Sequence, residues 1–92
     1  PPAVQRGVLR ALVDESTAAG YADYAGAEQA YMALTSVANA LLDSGAMGEA
    51  ARWRSAMAEL LATLRHDERF EAGEFRRKLG ALRPLVAVKA GS

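Results

Sequence analysis

His66 is the sole imidazole of the chain, and no cysteine accompanies it. Those two facts bound the chemistry the side chains can perform. A zinc site needs several ligands converging on one point, and a di-iron bundle needs a Glu-x-x-His pattern on each of two helices. Neither arrangement occurs. The lack of a thiol excludes a cysteine nucleophile and a disulfide framework, and it fits a cytoplasmic setting. By its spacing His66 falls near the C-terminal end of a helix, on the outer side with Arg52 and Glu59, where an imidazolium suits the helix dipole. Its expected state is an exposed helix-end histidine. A phosphotransfer module also carries one accessible histidine, but in mid-helix among small residues, whereas His66 stands at a helix end beside Asp67. No catalytic residue, metal ligand or cofactor is expected.

Three other features invite a chemical reading. Glu15 lies between Val8 and Leu12 on the helical wheel, at the centre of an apolar stripe. Burial there would desolvate the carboxylate and call for a cation such as Arg52 or Arg54, while fraying of the helix from Asp14 onward would leave it in water. Such a carboxylate would also suit an accessory subunit that completes a larger active site. Arg76, Arg77 and Lys78 form the only basic run. On a helix they project to different sides, with Glu74 placed to pair with Lys78 at i,i+4 and Arg76 sharing a flank with Arg83. The pair Gly45 and Gly48 lacks the third glycine, the lysine and the preceding strand of a phosphate cradle, and reads as a helix stop followed by a helix start.

These residues must be positioned by helices. The chain holds 21 alanines, no isoleucine, six valines and three threonines, a composition that favours helix because alanine loses no side-chain entropy on ordering. The expected fold is all-α, a single small antiparallel bundle of about four helices, the fourth short. A first helix from about Ala3 to Ala19 starts after Pro1 and Pro2, stops at Gly20, and turns Val4, Val8, Ala11 and Leu12 inward. Asp23 is the expected N-cap of a second helix that continues to Leu42 and is closed by Asp43, Ser44 and Gly45. Its inner face is centred on Ala30, Leu34, Val37 and Leu41 with Ala27, Tyr31 and Ala38 on the flank, while Met32 falls among polar residues. Tyr21, Tyr24 and Tyr31 cluster near its start, to pack between the first two helices or to line a groove.

A third helix runs from near Met47 or Gly48 to about His66, with Ala50, Trp53, Met57, Leu60 and Leu64 as a packing seam. A second stripe on it, Ala51, Ser55, Ala58 and Ala62, is small enough for another helix to approach closely. A turn anchored by Phe70 leads to a fourth helix from about Gly73 to Arg83, with Phe75, Leu79 and Leu82 in the core and Pro84 as its stop. Residues 1–84 form the expected bundle domain and residues 85–92 a C-terminal tail, free to pack, to pair or to stay disordered.

The 92 residues carry 11 Lys+Arg and 11 Asp+Glu, so the formal net charge is zero. That balance disfavours a sequence-independent nucleic-acid binder, which needs surplus cations. The charge is unevenly spread, however. Residues 11–51 hold six acids and neither Lys nor Arg, while residues 65–92 hold seven cations against four acids. A dipolar molecule is expected, suited to self-association or to a charged protein partner. No apolar run reaches the roughly 18 residues of a membrane span, and no membrane role is expected.

Together these features point to a small non-catalytic helical module, regulatory, adaptor or accessory in role, that docks with a protein partner or with itself as a homodimer. Its expected partner-binding residues are Met32, Ala51, Ser55, Ala58, Ala62, Arg76 and Arg83. The alternative is a nucleic-acid-associated regulator that uses the basic C-terminal third, with Arg65, Arg69, Arg76 and Arg83.

Overall fold

The computed structural model describes residues 2–46, 48–64 and 69–86. Pro1, Met47, residues 65–68 and residues 87–92 lie outside the described residues, and with them the expectations placed on His66, on Arg65 and on the end of the tail. The fold is all-α, with helices α1 (Pro2–Ala19), α2 (Tyr24–Asp43), α3 (Ala50–Thr63), α4 (Ala72–Gly80) and a single turn, α5 (Arg83–Val86). No described helix is long and apolar enough to cross a membrane.

Local chemistry sets the limits of these helices. Gly20 and Gly45, just beyond the ends of α1 and α2, adopt φ of 61° and 71°, in the left-handed region where a Cβ is costly. Asp23 takes extended backbone and its carboxylate accepts from the Gly26 N–H at 2.8 Å, capping α2. Glu71 caps α4 in the same way, more loosely, through the Gly73 N–H at 3.4 Å. α3 ends at Thr63, earlier than its apolar spacing suggests, because Leu64 leaves helical geometry at ψ 81°.

Each helix contributes to one core. Leu9 and Val13 come from α1, Leu34 and Leu41 from α2, Trp53 and Leu60 from α3, Phe75 and Leu79 from α4, and Leu82 from the turn before α5. All are buried almost completely, and each contributes about 1.5–3 kcal/mol through the apolar surface it removes from water. α1 packs most extensively on α2 and also meets α4 and α5; α3 packs on α4, and its contact with α2 is slight. Four rings reinforce the joint between the α1–α2 loop and α4. Tyr21 meets Phe75 edge-on at 5.8 Å, Phe75 meets Phe70 at 5.8 Å, and Phe70 meets Tyr24 at 6.4 Å. Two of the three tyrosines therefore pack toward the fourth helix rather than lining a groove.

The largest departure from expectation is in α1. Its buried residues are Leu9, Val13 and Ser16, while Val4 is 59% exposed and Val8 45%. Ala11 and Glu15 are exposed as well, and only Leu12 of the expected stripe is half-buried against the core. α1 carries two apolar stripes about 130° apart on the wheel, and the helices around it cover the one built on Leu9 and Val13. Glu15 is in water although α1 continues unfrayed to Ala19.

The end of the chain differs too. α4 stops at Gly80, and Pro84 sits within the next turn, α5, where its missing N–H falls in the first turn and costs no helix hydrogen bond. Val86 is buried and Leu85 packs against the core, so the first two residues after Pro84 rest on the bundle. Lys78 pairs with Glu59 of α3 at 3.1 Å rather than with Glu74 one turn away. Arg83 pairs with Asp14 of α1 at 3.0 Å. Both ion pairs bring cations of the last third onto acids of other helices, and the Arg83–Asp14 pair cancels part of the charge separation seen along the sequence.

Candidate docking groove between α2 and α3

Where α2 and α3 meet, their light contact leaves an open groove of about 250 Å³. One wall is Tyr31, Thr35, Ala38, Asn39 and Leu42 of α2, and the other is Trp53, Arg54, Met57, Ala58 and Leu61 of α3. The α2 residues recur at the 4, 3, 1, 3 spacing of one helix stripe, so a single helical surface presents them. The groove is open because Ala38, Thr35 and Ala58 are too short to fill the space between the two axes.

The floor is apolar and buried, with Trp53 1% exposed and Met57 7%. The rim is not. Leu61 is 50% exposed, and Met32, one turn before Thr35 and Ser36 on the outer face of α2, is 64% exposed. Two polar atoms of the walls, the Trp53 indole Nε1–H and the Thr35 hydroxyl, are buried with no hydrogen-bond partner among the described residues. Leaving a buried donor unpaired costs about 1–3 kcal/mol. Arg54 is exposed at the edge and has no carboxylate partner among the described residues, whereas its neighbour Arg52 is bonded to Glu49 at 2.6 Å. Within the described residues no cluster of three or more His, Cys, Asp or Glu is placed to hold a metal ion.

Of the residues expected to bind a partner, Ala58 lines the groove. Ala51, Ser55 and Ala62 are exposed on α3 outside its lining, and Met32 stands beside it on α2. Arg76 and Arg83 are elsewhere. Arg83 is bound to Asp14, and the Arg76 guanidinium lies against Gly20 at the end of α1. Leu61 and Thr35 were not singled out from sequence, and Arg54 was considered only as a cation for a buried Glu15. The available signal was Leu61, a large apolar residue of α3 that stands off the Trp53, Met57 and Leu60 seam, as Met32 stands off the inner face of α2. When the chain is compared with known proteins, no family model, no curated sequence and no solved structure matches it, so the role of the groove rests on its own residues.

Proposed function

We propose that this protein is a non-catalytic helical module that works by docking, and that a helix of a protein partner seats between α2 and α3. The observation that carries this reading is the open, apolar-floored groove whose rim leaves Leu61 in water, with Met32 exposed on α2 outside its lining. Exposed leucine and methionine beside a concave apolar surface suit an amphipathic helix laid into it, with methionine adapting to the shape of what arrives. Arg54, exposed at the edge and without a carboxylate partner among the described residues, adds a charged anchor that would fix the register of such a helix. The role is regulatory, adaptor or accessory and the setting cytoplasmic, which the absence of cysteine fits.

The nucleic-acid reading draws less support. Two of the cations available to it, Lys78 and Arg83, are engaged with Glu59 and Asp14, which lowers the charge left for phosphates.

Ala58→Arg tests the docking reading, because Ala58 is exposed on the groove wall and its replacement adds bulk there without entering the core. Trp53 is the sole tryptophan, so its emission reports on the groove. The expected result is that the wild type binds itself or a protein from its source cells with a change in Trp53 emission, and that A58R, folded by circular dichroism, does not. Equal binding by both proteins would refute the groove as the docking site.

A further inference from the structure

The outward stripe of α1 is left uncovered by the described residues. Val4, Val8, Ala11 and Glu15 recur at spacings of 4, 3 and 4 on one face, all four exposed. Such a row is an apolar seam ending in a carboxylate, and Glu15 has no cation partner among the described residues. No residue of α1 lines the groove between α2 and α3. One chain therefore presents both a groove and an unpartnered helix face.

The two surfaces match in length, register and charge. The outward stripe from Val4 to Glu15 and the α2 wall from Tyr31 to Leu42 each span eleven residue steps, about 16 Å of helix. On the α3 wall, Arg54, Ala58 and Leu61 are spaced 4 and 3, the reverse of Val8, Ala11 and Glu15. Laid antiparallel, the rows pair Glu15 with Arg54, Ala11 with Ala58 and Val8 with Leu61. The pairing sets carboxylate against guanidinium at one end and exposed valine against exposed leucine at the other. Alanine faces alanine between them, so the two axes can close in. Arg54 and Glu15, each without an ion partner among the described residues, complete one another.

Resting on the docking reading above, we infer that the occupant of the groove is α1 of a second copy of this chain, held in register by Glu15 of one copy and Arg54 of the other. The contact joins two different surfaces, so it fills both grooves of a dimer where a two-fold axis relates the copies and runs head to tail through further copies where it does not.

Sedimentation of the full chain tests this, with Glu15→Arg, Arg54→Glu and the double variant E15R/R54E. Both side chains are exposed and neither is ion-paired among the described residues, so each variant folds, with circular dichroism as the control. The expected result is association of the wild type, weakened about tenfold or more by each single charge reversal, which sets like charges face to face, and restored by the double variant. Val8→Asp is expected to weaken association as well. A wild type that stays monomeric up to about 1 mM, near the weak limit of specific contacts, would overturn the inference. So would single and double reversals with additive effects. If the wild type associates and A58R abolishes this while E15R and V8D leave it unchanged, the groove remains a docking site and α1 is not its occupant. Loss of association in V8D and E15R but not in A58R or R54E would overturn both readings, because α1 would then dock elsewhere.

Discussion

Arg83 Nε lies 3.0 Å from Asp14 Oδ1, so the first residue of the last helical turn is ion-paired with the first helix. The pair joins residues 69 positions apart in sequence, and Val86 of the same turn as Arg83 is buried in the core. It also shows how the fold disposes of charge, since an acid of the cation-free stretch meets a cation of the basic third. Both side chains are largely solvated, at 62% and 45% exposure. Its energetic worth is correspondingly small. Asp14→Ala and Arg83→Ala are each expected to lower stability by about 0.2–1 kcal/mol, and the double variant by little more than either alone, because the two share one interaction. Urea denaturation in low salt measures this, and high salt is expected to shrink the difference.

Gly20 is held by two constraints at once. Its φ of 61° disfavours any L side chain, and a Cβ there would run into the Arg76 guanidinium. Gly20→Ala is expected to cost about 1 kcal/mol or more. Combining it with Arg76→Ala removes the collision and leaves the backbone penalty, so the double variant is expected to lose less than the sum of the two single changes. Thermal melts of the four proteins check this, and full additivity would show that Arg76 swings aside freely.

The cap of α2 gives a cleaner local test. The Asp23 carboxylate accepts from the Gly26 N–H, which otherwise has no partner inside the helix. Asp23→Ala is expected to destabilise the protein by about 0.5–2 kcal/mol, and Asp23→Asn or Asp23→Ser to restore most of the loss. Chemical denaturation distinguishes the variants. An alanine variant equal to wild type would place the stability of this end of α2 in the Tyr21, Tyr24, Phe70 and Phe75 cluster instead.

Trp53 is expected to respond unlike a typical core tryptophan. It is almost wholly buried, yet its indole N–H has no partner among the described residues. Trp53→Phe removes apolar contact and also removes the unpaired donor, two effects of opposite sign and similar size. A net change within about 1 kcal/mol is expected, whereas Trp53→Ala, which empties the floor of the groove, is expected to cost about 3–5 kcal/mol. That loss is a large share of the roughly 5–15 kcal/mol that stabilises a domain. Denaturation followed by circular dichroism compares the two without relying on the fluorescence that both variants lose.

Much of the fold was legible in the residues themselves. α3 has one run of large apolar side chains at 4 and 3 spacing, Trp53, Met57 and Leu60, and that run lies on the buried face. α4 has Phe75 and Leu79, followed by Leu82 in the next turn, and all three are buried. The stops at Gly20 and Gly45 and the cap at Asp23 were equally plain, because each rests on the chemistry of one residue and its immediate neighbours. The exposure of Met32 followed from its place among polar residues.

What the residues could not settle is every choice between two acceptable partners. α1 carries Val4, Val8 and Ala11 on one side and Leu9, Val13 and Ser16 on another, and both sets have helical spacing. Periodicity measures the existence of a stripe and not which stripe a neighbour will cover, so only the placement of α2, α4 and α5 turned Leu9 and Val13 inward. Lys78 had Glu74 one turn away and took Glu59 of α3 across space. The groove is of the same kind. Its walls come from two helices whose separation depends on how α3 leans on α4, and no spacing within either helix encodes that distance. Sequence by itself determined the helices, their ends and the single-stripe faces, which are local properties of the chain; tertiary packing alone decided which of two equivalent surfaces is buried and which is left for another molecule.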